Sequence, residues 1–301
     1  MQIIKKTHFD FIGKRKISFT ISAIIAIIGI VAIVQIARGA ANLGIDFTGG
    51  TALQLKFEKP VSLQEARKAL TKNGLEVSLQ EITDGNKLLI KVGKTTLETG
   101  KVAETVENVF KNDFAANPFI VESSTEIGPS IGDKLRKDTL IAIVVAMLGI
   151  IIYIAWRFDL KFGIAAALAT FHDVLAILAI FYVLDKEINL LLITAVLTIA
   201  GYSLTDTVVV FDRIRENMHK NMKESLMNVF NFSINEVLSR TIITALTTLL
   251  AALSLFLFGG EVIHDFSFAL VVGILVGTYS SIFVASPLVV LWENRALRAK
   301  A

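Results

Sequence analysis

The sequence predicts an α-helical polytopic membrane protein that crosses the bilayer six times and carries one small α+β domain between its first two crossings. Three observations lead there. The 301-residue chain is 53% hydrophobic with a mean hydropathy of +0.64, above the roughly 45–50% apolar usage of soluble domains. Its apolar residues gather into six long runs, and the stretch after the first run alternates between strand-like and helix-like periods.

A helix needs about 20 mostly apolar residues to cross the hydrocarbon core. After a basic N-terminal segment, 1–16, such runs fall at 17–37, 138–157, 162–184, 188–211, 240–258 and 266–291, and a basic tail follows at 292–301. The first run follows basic residues, as a signal core does. At about 20 residues it exceeds the roughly 7–15 of a cleaved signal, so it reads as a retained anchor.

Lysine and arginine near the short loops set the orientation. Lys5, Lys6, Lys14, Arg15 and Lys16 precede the first run, and Arg157 and Lys161 separate the second from the third. Arg213, Arg215, Lys220, Lys223 and Arg240 lie between the fourth and fifth, and Arg295, Arg298 and Lys300 follow the last. The alternate loops, Asp185-Lys186-Glu187 and 259–265, carry one basic residue between them. Both termini are therefore expected in the cytoplasm and 38–137 on the opposite, extracytoplasmic side.

Within 38–137, residues 51–57 alternate like a strand, and 62–73 read as a helix opened by Ser62 with Glu65 three residues on, a capping box. Residues 75–82 and 87–92 are strand-like around the turn Asp84-Gly85-Asn86, 96–110 repeat apolar residues at helical spacing, and 118–125 read as a last strand. The order β-α-β-β-α-β is that of a ferredoxin-like domain. At about 80 residues it can bury a small core without disulfides.

The connector 212–239 is polar but carries Ile214, Met218, Met222, Leu226, Val229, Phe230, Ile234 and Val237 at spacings of three and four. This pattern predicts an amphipathic helix, or a pair, on the inner membrane surface or held against the bundle.

Charged residues inside a bilayer are costly, at least ~2.5–3.5 kcal/mol each at a helix centre, and by default mark function. Three places here bear that cost. His172-Asp173 lies halfway along the third run, and Asp206 lies within Gly201-Tyr202-Ser203-Leu204-Thr205-Asp206 in the fourth. Arg240 opens the fifth, followed by Thr241, Thr244, Thr247 and Thr248 along one flank. Desolvation and a neighbouring arginine act on a carboxyl in opposite senses, so an acid exposed to each in turn can bind a proton and release it. Asp206, Arg240, Asp173 and His172 are thus the candidate proton pathway, with Tyr202, Ser203, Thr205, Thr241 and Thr244 as supporting polar groups. Only one of the adjacent His172 and Asp173 can face a given partner, since neighbours on a helix point about 100° apart; the other is expected to serve packing. Arg240 is close enough to the interface to snorkel. Gly201, Ser203, Gly273 and Gly277 read as small residues that let helices approach.

Several classes are disfavoured. A net charge of +3 without basic blocks gives no nucleic-acid surface. The chain has no cysteine, hence no disulfide or thiolate metal site. It has no G-x-x-x-x-G-K-S/T loop, no cluster with metal-ligand spacing and no nucleophile beside a base. No enzyme activity, metal or cofactor is expected, and energy must come from an ion gradient, protons with sodium as the alternative, or from a partner.

Four stretches carry a family likeness. GIDFTGG at 44–50, GPSIG at 128–132, WRFDLKFGIAAALATFHD at 156–173 and GYSLTDTVVVFDRIREN at 201–217 together resemble the SecD/SecF family of bacterial protein-export membrane proteins, in the resistance-nodulation-division superfamily. The resemblance covers nearly the whole chain and lies with the SecF members. It implies a bacterial inner-membrane protein paired with SecD as a separate chain, working with the SecYEG channel, the SecA ATPase and YajC on unfolded preproteins, and drawing on the proton gradient. It also implies proton conduction by the aspartate of GYS-x-x-D and the arginine opening the fifth span, which match Asp206 and Arg240. The chain departs from many relatives in having Leu204-Thr205 where they carry Ile-Asn. The alternatives are a proton-coupled small-molecule exporter subunit of the same superfamily and a passive scaffold of the export complex.

The glycine-rich stretches at 44–50 and 128–132 flank the outer domain. Gly44, Gly49, Gly50, Gly128 and Gly132 are expected to act as joints, because glycine supplies backbone angles that other residues resist. Asp46 reads as a turn cap.

Overall fold

The computed structural model describes residues 7–82, 86–93, 100–220 and 224–298, with the side chains of 82, 261 and 294–298 outside that description. Asp84 and Gly85 of the expected turn, the start of the expected helix at 96–99, Lys5, Lys6, Met222, Lys223 and Lys300 also lie outside the described residues.

In chain order the elements are α1 (Arg15–Ala37), the single turn α2 (Ile45–Thr48), β1 (Gly50–Phe57), α3 (Leu63–Lys72), β2 (Val77–Ile82), β3 (Lys87–Val92), α4 (Lys101–Asp113) and β4 (Phe119–Ile127). Then come α5 (Pro129–Arg157), α6 (Leu160–Val183), α7 (Leu190–Lys220), α8 (Leu226–Phe258), a short 3₁₀ turn, α9 (His264–Ser280), a π-turn (Ser281–Ala285) and α10 (Ser286–Arg298). Six stretches are long and apolar enough to cross a membrane: α1, α5, α6, α7, α8 and the run from α9 into α10. The chain divides into two compact units, Leu43–Ile141 and the remainder.

In the smaller unit the sheet order is β2-β3-β1-β4 and each neighbouring pair is antiparallel. The period-2 pattern decides which face is buried. Leu53, Leu55 and Phe57 of β1 and Leu88, Ile90 and Val92 of β3 share a core with Ala66 and Leu70 of α3 and Val106 and Phe110 of α4. Phe57 sits edge-on to Phe110, with centroids 5.4 Å apart, and Phe119 closes the cluster at 5.4 Å from Phe57. Ile90 is fully buried, so Ile90→Val is expected to cost about 0.5–1.5 kcal/mol, read as easier proteolysis of this unit in the membrane-embedded chain. Ser62 stands at the N-cap of α3 with extended backbone angles, but its side chain makes no capping bond.

The glycine-rich stretches take a form that their composition did not predict. GIDFTGG winds into α2, and Pro129 opens α5, proline being suited to the first helical position. GPSIG is therefore largely the first turn of a helix. A Cβ on Gly132 would stand 2.9 Å from the Gly49 nitrogen, and one on Gly50, at φ +138°, would stand 2.4 Å from the Val92 carbonyl. These glycines allow backbone to lie on backbone. Gly128 meets nothing within 4 Å, and Gly44 is the extended N-cap of α2.

In the larger unit α6 is the most enclosed span, because its alanines let neighbours approach. Gly29 of α1 lies so close that a Cβ would stand 2.4 Å from the Leu175 carbonyl of α6. Gly273 and Gly277 of α9 back onto Ile199 and Ser203 of α7, whereas a Cβ on Gly201 would meet nothing within 4 Å among the described residues.

Of the two readings of the connector 212–239, the structure has the one held against the bundle: α7 runs on to Lys220 and α8 starts at Leu226, capped by the Ser225 hydroxyl, which accepts from the Asn228 amide at 3.3 Å. Its apolar residues Ile214, Phe230 and Ile234 are buried with Phe158, Phe162 and Phe211. Arg213 ion-pairs with Glu236 and with Glu216, and Asn217 donates to the Ser233 hydroxyl at 3.0 Å, tying the two extensions together.

The N-terminal segment is clasped to α8 by two asparagines. Asn231 Oδ1 accepts the amides of Phe11 (2.9 Å) and Ile12 (3.0 Å), and Asn235 both accepts from the Phe9 amide and donates to its carbonyl. A hydrogen bond is worth about 1 kcal/mol net, so Asn231→Ala is expected to speed amide exchange at Phe11 and Ile12 roughly five- to tenfold, as hydrogen–deuterium exchange would show. The Gly13 amide and the Asn231 side chain hold the Asp10 carboxyl below the usual carboxylate range. That corner of the clasp is fully present above the ordinary range and is lost as pH falls through the lowered value.

Candidate functional site

Two carboxyls lie in the bundle, and each accepts from serine hydroxyls of a neighbouring helix or turn. Asp173 projects from the middle of α6 and is fully buried. Its Oδ2 accepts from Ser203 of α7 at 2.5 Å and from Ser280 of α9 at 2.8 Å, while Oδ1 lies 3.2 Å from Nδ1 of His172. Both members of the His-Asp pair are buried. The His172 ring approaches Tyr279 with centroids 6.4 Å apart, and the Tyr279 hydroxyl donates to the Ser18 carbonyl of α1 at 2.9 Å.

Asp206 lies one helix away, on α7. Its Oδ2 accepts from Ser281, first residue of the π-turn, at 2.7 Å. Thr241 of α8 approaches the same carboxyl without a hydrogen bond of ordinary geometry, and its hydroxyl is buried and unpartnered. Arg240 is exposed, makes no ion pair with Asp206 and acts on it through charge at longer range.

The other supporting residues divide. Ser203 is a direct ligand of Asp173. Half-buried Tyr202 faces Thr248 of α8. Thr205 is exposed and returns its hydroxyl to the Gly201 carbonyl at 3.0 Å, so the Leu204-Thr205 departure puts no group on the carboxyl of Asp206. Thr244 is exposed.

Among the described residues, the buried side-chain polar atoms without a partner are the Thr170 hydroxyl, Nε2 of His172 and the Thr241 hydroxyl. All three lie beside one of the two acids, in sequence or in space. Buried polar groups are ordinarily paired, and among the described residues these exceptions gather near the two acids. Ser280 and Ser281 escaped the sequence reading, because uncharged serines are unremarkable inside a span. The signal that finds them is spatial. No group of three or more His, Cys, Asp or Glu side chains that could hold a metal occurs among the described residues.

The family model described as the C-terminal part of the protein export membrane protein SecD/SecF matches residues 105–295, and the one described as the SecD/SecF GG motif matches 41–61. The chain is 55% identical over 300 residues to a protein translocase subunit SecF of Thermodesulfovibrio yellowstonii, covering 99% of each. It is 44% identical to the protein of the same name from Calditerrivibrio nitroreducens, covering 98% of this chain and 97% of that one. The crystal structure of SecDF, a translocon-associated membrane protein of Thermus thermophilus, superposes with a TM-score of 0.86 at 38% identity. That match covers 96% of this chain and 39% of the solved one, so the chain spans about two fifths of the solved protein. SecDF in a super-membrane-facing form matches with a TM-score of 0.73 and 37% identity, covering 100% of this chain and 40% of that one.

Proposed function

Because the chain belongs to the SecD/SecF family of protein-export membrane proteins, we propose that it is the SecF-type subunit of a SecD–SecF accessory complex of the Sec translocase. In this reading it uses the proton gradient to promote late steps of preprotein movement across the bacterial cytoplasmic membrane. The observation that carries the reading is Asp206, an acid in a membrane span held by the hydroxyl of Ser281 and within the charge influence of the exposed Arg240. Such a group has no packing role large enough to offset its insertion cost, since intramembrane polar pairs contribute only about 0.6 kcal/mol on average.

The rest of the complex belongs to the same proposal, and the SecDF likeness supports its first part: SecD is the partner, supplied as a separate chain, and SecYEG, with SecA and YajC, is the machinery served. The subunit has no chemistry of its own to perform on the preprotein. Both termini face the cytoplasm, on the side to which the arginines and lysines of the short loops assign them. The outer unit is ferredoxin-like: its element order and its β2-β3-β1-β4 antiparallel sheet support that reading. Motion passes to it at the residues before α2 and at Gly128, because Gly49, Gly50 and Gly132 are engaged in close backbone contacts.

The test is reconstitution of this chain and its SecD partner with SecYEG and SecA in proteoliposomes. An imposed proton gradient is expected to speed completion of preproteins stalled partway, after ATP is withdrawn. No acceleration would reduce the subunit to a scaffold. Acceleration by a sodium gradient alone would change the coupling ion, and drug efflux without acceleration would favour a small-molecule exporter.

A further inference from the structure

Ser280 and Ser281 are consecutive, yet they serve different acids. Ser280 Oγ lies 2.8 Å from Asp173 on α6, and Ser281 Oγ lies 2.7 Å from Asp206 on α7. Each hydroxyl has a second acceptor in its own helix: the Gly277 carbonyl at 3.1 Å for Ser280 and the Thr278 carbonyl at 3.1 Å for Ser281. A hydroxyl has one proton to donate, so each serine serves either its carboxylate or its carbonyl. The choice depends on whether the carboxylate is charged, since charged acceptors bind hydroxyls about twice as strongly as neutral ones.

The backbone at this point is also unusual. The π-turn at Ser281–Ala285 interrupts the sixth span, and the Ser281 carbonyl is met by the buried Ser286 hydroxyl at 2.9 Å. Single π-turns inside α-helices are rare and frequently sit at functional sites. They supply a second register into which a helix can relax.

We propose that the Ser280–Ser281 pair is a positioning element that couples Asp173 to Asp206: when one acid takes up a proton, its serine turns to the helix carbonyl and the π-turn alters the hydrogen bond offered to the other. The inference deepens the proton-carrier reading and takes its purpose from it, but the coupling is a property of the bundle alone. The groups facing Asp173 are His172 from its own helix, Ser203 from α7 and Ser280 from α9, with Tyr279 beyond His172. Those facing Asp206 are Tyr202 from its own helix, Ser281, and Arg240 and Thr241 from α8. The α1 helix reaches this cluster through Tyr279, by the Ser22 hydroxyl at 3.1 Å and the Ser18 carbonyl at 2.9 Å.

The experiment is infrared titration of protonated carboxyls in the full chain with its SecD partner in proteoliposomes, the Asp173 band being the one lost in Asp173→Asn. Asp206→Asn is expected to change the proton affinity of Asp173 at least tenfold. In the Ser280→Ala/Ser281→Ala background the same replacement should change it less than threefold, and Ser281→Thr, which keeps the hydroxyl, should restore most of the effect. Equal changes in both backgrounds would show direct charge interaction and overturn the proposal, as would no change in either. If the double alanine chain fails to accumulate, Ser281→Cys, a near-isostere with a weak donor, takes its place with the same criteria. Export is read separately: normal export in Asp206→Asn cells would defeat the proton-carrier reading and leave the coupling standing, whereas lost export with no serine-dependent coupling would defeat the coupling alone.

Discussion

Cells whose only copy of this chain carries Asp206→Asn are expected to accumulate unprocessed precursors while holding normal membrane levels of the chain and of its SecD partner. Asparagine keeps the volume of aspartate and an oxygen that accepts from Ser281 at the same place, now 2.7 Å away. The bundle therefore loses little stability, and what it loses is the ability to bind and release a proton. One charge moved across the membrane is worth about 2.3 kcal/mol per 100 mV, a driving force that no other group in this span replaces. Residual export should become insensitive to protonophores beyond their effect on the remaining machinery. Asp206→Glu, which keeps the carboxyl but lengthens it, should retain part of the response. Arg240→Gln should weaken it less than Asp206→Asn does, because the guanidinium is exposed and makes no direct contact. Export at the normal rate and with normal protonophore sensitivity in Asp206→Asn would assign the residue to packing and leave the scaffold reading in place.

The crossings were legible because an uninterrupted apolar run of bilayer length is rare in a chain that stays in water, and the strands because β1 and β3 alternate cleanly over a single buried face. Helix ends were not legible. Hydropathy falls after Phe211, but nothing in Asp212–Lys220 breaks a helix, so α7 continues and the apolar spacing of the connector reports burial against the bundle rather than a bilayer surface. The glycines of GIDFTGG and GPSIG were conspicuous in the sequence, yet composition does not distinguish a joint from a close backbone contact. Only the approach of Gly132 to Gly49 separates the two. At the site, Asp173, His172 and Asp206 stood out because charge in a span is costly. Ser280 and Ser281 did not, because a serine in a helix can return its hydroxyl to its own backbone and so carries no visible cost. Their role depends on which neighbours they face, which is fixed by the packing of α9 against α6 and α7.

Asp173→Ala is expected to act first on stability, and this separates it from Asp206→Asn. The carboxyl of Asp173 is fully buried and receives Ser203 and Ser280, with His172 at its other oxygen. Removing it strips the Ser203 hydroxyl and Nδ1 of His172 of their partner, while Ser280 can fall back on the Gly277 carbonyl. Two buried polar groups left unsatisfied, at about 1–3 kcal/mol each in water-soluble proteins and less where lipid-embedded groups find substitutes, give an expected loss of about 2–4 kcal/mol. Unfolding of the purified complex in detergent should show it as a lowered midpoint, and membrane levels should fall. Asp173→Asn keeps acceptor and volume and should restore most of the stability. If it also restores export, Asp173 holds three helices together and Asp206 alone carries protons. If export stays impaired in a stable Asp173→Asn chain, both acids belong to the proton path, and the short contact from Ser203 to Asp173 is part of how the path is held. A midpoint unchanged in Asp173→Ala would mean that the polar cluster on α6 contributes no net stability, contrary to the geometry that surrounds it.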